Sequence, residues 1–406
     1  MDRRQFLSGV GASSLVGLPA LTHAANPPIL SDELAAGTRA EAVLDALPGK
    51  RPLIKLSYRP PNYETPLGYF ADPITPNDAF FVRYHLADIP EVDARTWRLT
   101  IGGDAAEKTI ALGLDDLMRL EPVELTAVCQ CSGNRRGLFS PHVPGVQWGV
   151  GAMGSARWKG VRLKDVLAKA GVRKDAVELV LDGADGPVLD KTPDFVKSIP
   201  IWKALDETVL IAFEMNGQKL PHWNGFPARL VVPGWTGTYW TKHLAKLELV
   251  SKPYDGFWMK SAYRIPKGRF PVVDRFVSQE SPGGDNTPIT EIMVNALITG
   301  PVEGQKVTAR QPVTVSGIAW DGGYGIDTVE VSSDEGATWL PASLGADGGR
   351  FAFRPWSLKL PAAKPGKQVI LAKATNRIGA TQPRALIANP AGYHHNVVAR
   401  VAVTVA

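Results

Sequence analysis

Cysteine is nearly absent: the 406-residue chain has two, Cys129 and Cys131. Their spacing, Cys129-Gln130-Cys131, is not the Cys-x-x-Cys-His of covalent haem attachment. A disulfide between them fits badly, because residues two apart in an extended segment place their Cα atoms near the ~7 Å limit for bridging. No block of like charges and no basic strip interleaved with aromatics occurs, and the net charge is only +5, so nucleic-acid binding is not indicated. The sequence has no GxGxxG dinucleotide loop, no Walker loop and no GxSxG nucleophile elbow, which removes the commoner nucleotide, flavin and serine-hydrolase readings. Internal repeats and low-complexity tracts are also missing. His142, His222, His243, His394 and His395 follow no metal-ligand spacing and read as structural or surface residues.

Glycine and proline, by contrast, are plentiful at 40 and 33 residues, and 44% of the chain is hydrophobic. This composition predicts many turns and short strands around a large core, divided into two or three domains. The N-terminus carries Asp2-Arg3-Arg4-Gln5-Phe6-Leu7, then a glycine-diluted apolar stretch to Leu21 and a small-residue exit at Thr22-His23-Ala24. That pattern is a twin-arginine export signal over residues 1–24, too short and weakly apolar to span a membrane. It predicts a periplasmic protein, exported folded and not held in a membrane.

Residues 25–75 are proline-rich, including Arg59-Pro60-Pro61-Asn62-Tyr63-Glu64-Thr65-Pro66, and read as an irregular segment lying along a domain surface. From 76 to 255, strands and short helices alternate without a regular βαβ repeat, which predicts an α+β domain. Leu163, Val166, Leu167 and Ala170 form one helical face ended by Gly171, and Asn216-Gly217 predicts a hairpin turn after the apolar run from Thr208 to Met215. Residues 256–287 read as a linker that ends in the polar run Ser278 to Asp285. From 288 to 406, short alternating runs separated by turns such as Asp334-Glu335-Gly336 predict an all-β immunoglobulin-like sandwich of about seven strands.

Cys131 opens Cys131-Ser132-Gly133-Asn134-Arg135-Arg136, a thiolate followed by a tight turn and two guanidiniums. Such a run suits a soft metal facing an anion, although an inert buried thiol fits the residues equally well. Five further strings follow the same order as in one known family: Phe80-Phe81-Val82-Arg83-Tyr84-His85 upstream, then Ala156-Arg157-Trp158-Lys159-Gly160-Val161, Glu214-Met215-Asn216-Gly217, Gly225-Phe226-Pro227-Ala228-Arg229 and Val232-Pro233-Gly234 downstream. From about residue 58 to the C-terminus the chain resembles the sulfite oxidase family of molybdenum enzymes, and among them the bacterial periplasmic sulfite dehydrogenases.

The resemblance implies that Cys131 is the protein ligand to molybdenum, the other ligands coming from molybdopterin and oxygen. It implies that Arg83, His85, Arg136 and Tyr263 surround the substrate oxyanion. Phe81, Val82, Arg83, Tyr84, His85, Asp185, Asn224, Arg229, Trp240, Thr241 and Lys242 match positions that hold the cofactor, with Arg229 and Lys242 suited to its phosphate and Asp185 to a pterin N–H. Cys129 matches no such role and reads as a packed core thiol. Two departures stand out: Asn224 replaces a histidine of animal members, and Ala391 falls where they carry an anion-binding arginine. The implied activity is oxidation of sulfite to sulfate, with electrons passed to a separate c-type cytochrome. The β-sandwich is implied to pair two subunits, as a homodimer or beside a cytochrome subunit. The alternatives are a sulfoxide reductase of the same family and a non-catalytic periplasmic binding or assembly protein.

Overall fold

A computed structural model of the chain describes residues 43–268, 286–362 and 364–406. The export signal and the polar run 278–285 lie outside the described residues. No helix among the described residues is long and apolar enough to cross a membrane.

The first domain is built from two sheets and a small N-terminal one. One sheet orders the strands Lys197–Pro200, Glu178–Gly183, Leu244–Val250, Leu99–Gly102 and Ile110–Leu112. The other orders Gln218–Lys219, Leu210–Met215, Met153–Arg162 and Val123–Gln130, with Arg229–Val231 also pairing with Leu210–Met215. Between them packs a continuous core that includes Trp158, Leu163, Leu181, Ile211, Leu230 and Leu247. The predicted helix forms at Leu163–Ala170, buries Leu163, Val166, Leu167 and Ala170, and stops at Gly171 with φ +75°. The predicted hairpin also forms: Met215 pairs with Gln218 across Asn216 and Gly217, both at positive φ as a tight two-residue turn requires. Helices are few and short among the described residues, so the α+β domain is dominated by its strands.

The proline-rich segment departs from the expectation of an irregular surface run. Leu53–Ser57 and Asn62–Glu64 are strands that pair with each other, and Asn62–Glu64 pairs in turn with Val82–Arg83. The prolines occupy the turn between them, while Leu53, Ile54 and Tyr63 bury into a small core with Val82 and Tyr84. The strand composition around Phe80 to His85 yields only the two-residue strand Val82–Arg83. The described residues at the two ends of the 256–287 range are regular: Phe257–Lys260 is a helical turn, and Arg264–Pro266 pairs with Asn286–Pro288.

The C-terminal domain is two sheets. Asn295–Gly300, Val313–Trp320, Arg354–Leu360 and Ser343–Leu344 form one, and Lys306–Val307, Ala399–Val405, Gly366–Asn376, Ile326–Ser332 and Leu340–Pro341 the other. Their inward residues, among them Ala296, Val315, Trp356, Val329, Ile370 and Val401, share one core. This domain is joined closely to the first. Val128 N–H donates to the Phe351 carbonyl at 2.9 Å, and Trp320 Nε1 donates to Gln130 Oε1 at 2.7 Å.

Candidate active site

Cys131 follows directly on the strand Val123–Gln130, in a turn held from three sides. Its own N–H donates to Ala152 O at 2.9 Å, Asn134 N–H closes the turn onto Cys131 O at 2.9 Å, and Ser132 Oγ donates to Thr236 Oγ1 at 2.9 Å. Arg135, at φ +67°, donates from Nη2 to Ala296 O of the C-terminal domain at 2.7 Å. Gly133 lets the Arg136 guanidinium lie close over the turn, since a Cβ there would lie 2.5 Å from Arg136 Nη1. The Cys131 side chain is thus presented at a fixed point.

That point is the wall of a cavity of about 760 Å³, its mouth included. Of the residues singled out from the sequence, Phe81, Arg83, Tyr84, His85, Cys131, Asp185, Asn224, Arg229, Trp240, Thr241, Lys242 and Tyr263 all line it. Cys129 lines it too. Val82 and Arg136 do not: Val82 points into the small N-terminal core, because neighbouring strand residues face opposite sides. Arg136 lies behind the Cys131 turn, donating from Nε to Ala391 O at 3.0 Å and from Nη1 to Val146 O at 3.2 Å, with its guanidinium 5.0 Å from the Tyr393 ring centre. Ala391 contributes its backbone carbonyl as an acceptor for Arg136.

The cavity is rich in cations that make no direct ion pair, Asp185 being the one carboxylate among the described residues of its lining. Among the described residues, no carboxylate lies within 4.0 Å of Arg83, Arg136, Arg229, Lys242 or Lys197. Arg229 is 4% exposed; it donates to the carbonyls of Asn224 and Trp240, each at 3.0 Å, and its Nε is buried without a partner. Thr238 Oγ1, also in the lining, is orphaned in the same way. Lys242 Nζ donates to Arg83 O at 2.9 Å and sits 2.7 Å from the Tyr84 ring centre. Burial holds both Lys242 and Arg229 below their ordinary pKa, with the Asp185 carboxylate in the same cavity pulling Lys242 back up.

Opposite these lies a neutral pair. Tyr263, at φ +56°, hydrogen-bonds through its hydroxyl to His85 Nε2. Burial raises the Tyr263 pKa, and burial with Arg83, Lys242 and Lys197 holds the His85 imidazole well below 6.5. The phenol therefore keeps its proton and donates, and the imidazole accepts. His85 also stacks on Phe195 at 3.5 Å, and Tyr263 stacks on Tyr393 at 5.5 Å. Cys129 is 3% exposed, and burial pushes its thiol up to about 11, in keeping with an inert core thiol.

Sequence reasoning missed Lys50, Phe195, Lys197 and Tyr393. Lys50 reaches in from the N-terminal segment and donates to Asn224 Oδ1 at 2.7 Å, burial lowering its pKa to about 7. The one available signal for Lys197 was a lysine set within the apolar strand-like run Phe195-Val196-Lys197-Ser198-Ile199. His243 is not a surface residue: its Nδ1 donates to Phe226 O and its Nε2 accepts from Tyr84 Oη, both at 2.7 Å.

Among the described residues, no three His, Cys, Asp or Glu side chains gather as a metal site. A metal held by Cys131 must take its remaining ligands from a non-protein group. The cavity fits a bulky anionic one, with orphaned Arg229 Nε and Thr238 Oγ1 awaiting acceptors.

Fold and site together define a molybdopterin-dependent oxidoreductase. Residues 85–258 match the oxidoreductase molybdopterin binding domain, and residues 286–406 match the Mo-co oxidoreductase dimerisation domain. Mitochondrial sulfite oxidase of Homo sapiens is 37% identical over 344 residues, covering 81% of this chain and 61% of that protein. Sulfite oxidase of Gallus gallus is 34% identical over 371 residues, 87% of this chain and 78% of that one. The solved structure of the sulfane dehydrogenase SoxCD from Paracoccus pantotrophus aligns with a TM-score of 0.71 at 27% identity, covering 86% of this chain and 88% of that chain. The chain belongs to the sulfite oxidase family of molybdenum oxidoreductases, and its cofactor is molybdenum-bound molybdopterin. It spans about three-fifths of the length of the human relative.

Proposed function

We propose that the chain oxidises sulfite to sulfate in the periplasm and passes the electrons singly to a c-type cytochrome. The observation that carries the substrate class is the set of cations around Cys131 that have no carboxylate at ion-pair distance: a small dianion entering there meets Arg83 at the cavity wall, with Arg136 adding its field from behind the turn. Arginine stays charged at any working pH and grips an oxyanion through paired N–H groups. The export pattern Asp2 to Leu7 supports the periplasm, and the lack of a haem, flavin or nicotinamide motif supports an external electron acceptor.

Oxidation of sulfite takes up one water and releases two protons and two electrons. When bound, the molybdenum cofactor supplies the two-electron couple and the oxygen transfer. Cys131 would ligate the metal, Arg229 and Lys242 would hold the cofactor's phosphate, and Asp185 and Asn224 would face its pterin. Phe81, Tyr84, Trp240 and Thr241 close the cavity around it and exclude water. His85 accepts from Tyr263 and so fixes the direction of that hydroxyl inside the cavity.

The test is steady-state reduction of cytochrome c by sulfite with purified, molybdenum-loaded protein. Turnover that rises with sulfite and falls with salt supports the reading. A fully loaded protein that ignores sulfite and reduces a sulfoxide instead refutes it, and a protein purified without molybdenum from cofactor-producing cells would be the non-catalytic alternative.

A further inference from the structure

Lys197 is 1% exposed, less than any other lysine in the described residues' buried set. Its Nζ donates to one acceptor, Trp258 O at 2.6 Å, and lies between two phenol rings, 4.9 Å from the centre of Tyr239 and 5.0 Å from that of Tyr263. The ordinary fate of a lysine in a strand is to bury its stem and keep its head in water, and here the head is the buried part. A methionine of similar volume would fill the same space without desolvating an amine. A polar group retained against fold stability points to a role at the nearest site.

That site is Tyr263, whose hydroxyl must stay on His85 Nε2 while its backbone sits at φ +56°. We propose that Lys197 is a positioning residue for Tyr263, clamping the phenol ring so that its hydroxyl remains on His85 inside the cavity. The clamp is an N–H or cation contact to the ring face, anchored at the Trp258 carbonyl and backed by Tyr239. The charged or titratable groups facing Lys197 are Arg264, His85, Tyr239 and Tyr263, and none of them is an acid that would draw the amine away. Burial, with Arg264 adding to it, holds the Lys197 pKa well below 10.5.

What Tyr263 does in turnover rests on the proposed sulfite oxidation, so the test reads the clamp separately. Lys197→Met is made in the molybdenum-loaded protein, and 3-fluorotyrosine is placed at position 263 in both backgrounds. Lys197→Met should melt no lower than the parent and gain about 2–4 °C, because a desolvated amine is gone. The fluorine resonance, narrow in the parent, should broaden or split as the ring gains freedom. Sulfite kcat should fall about tenfold, ~1.4 kcal/mol in barrier height, with KM within about twofold. Lys197→Gln, which can still reach the Trp258 carbonyl but not the rings, should behave like the methionine variant and guards against a packing defect. An unchanged fluorine line and unchanged kcat in both variants overturn the proposal. A fluorine change between parent and variants, in a protein whose parent does not oxidise sulfite, leaves the clamp standing and overturns the reaction instead.

Discussion

Acid should destabilise this protein through three buried histidines. His243, His394 and His395 are buried, and burial lowers their pKa values from 6.5 to about 3, about 4 and about 3. For His243 the hydrogen bonds enforce the neutral form, Nδ1 donating to Phe226 O and Nε2 accepting from Tyr84. At these three positions the unfolded chain takes up three protons below pH 6.5 that the folded chain refuses, His85 adding to them, so stability falls as pH falls and levels off only below the folded values. Each proton is worth ~1.36 kcal/mol per pH unit, so two units of acidification below 6.5 remove roughly 2–3 kcal/mol per histidine and roughly 6–8 kcal/mol for the three. Asp182, its pKa raised by burial to about 6, titrates in the opposite sense and trims that sum. The remainder rivals the total stability of a typical domain, roughly 5–15 kcal/mol. Circular dichroism across pH 7 to 3 should show a cooperative transition, and His395→Phe should move its midpoint down by about one pH unit. His395 is the right probe because its Nδ1 is buried without a partner and its ring already meets Phe139 at 5.6 Å. A melting temperature that stays flat from pH 7 to 5, or a midpoint unmoved by His395→Phe, refutes the reasoning.

The two cysteines should separate cleanly: Cys131→Ser should fold but lose sulfite turnover, a hard hydroxyl being a poor replacement for thiolate, whereas Cys129→Ser should keep it. Normal turnover by Cys131→Ser with full molybdenum would remove Cys131 as the ligand. Arg229→Met, which abolishes the buried cation with the orphaned Nε, should purify with less than about a tenth of the parent's molybdopterin while gaining thermal stability in the empty form. Cofactor content equal to the parent's would take Arg229 out of the phosphate site. Sedimentation of the chain at micromolar concentration should give a homodimer through residues 286–406, and a persistent monomer in the absence of a cytochrome subunit would count against that pairing.

The local sequence determined a good deal here. Gly171 could end its helix and Asn216-Gly217 could turn its hairpin because both rest on backbone conformations decided within a few residues. The ordered strings around Arg83, Cys131 and Arg229 were legible for a related reason: a motif carries its own turn, as the Cys131-to-Arg136 loop does through its hydrogen bonds. What the sequence by itself left undecided is whatever depends on residues far apart meeting. The proline-rich stretch became a sheet because Val82 and Arg83 supplied a partner strand, and no local pattern announces a partner. Arg136 looked like a substrate-facing arginine until the carbonyl of Ala391, 255 residues away, claimed its Nε. Lys197 and Tyr393 lie far from Tyr263 along the chain and join it only because the strand Lys197–Pro200 and the C-terminal domain close on the same cavity. Types of chemistry are written in side chains, but direction and burial are set by packing, and packing is a property of the folded whole.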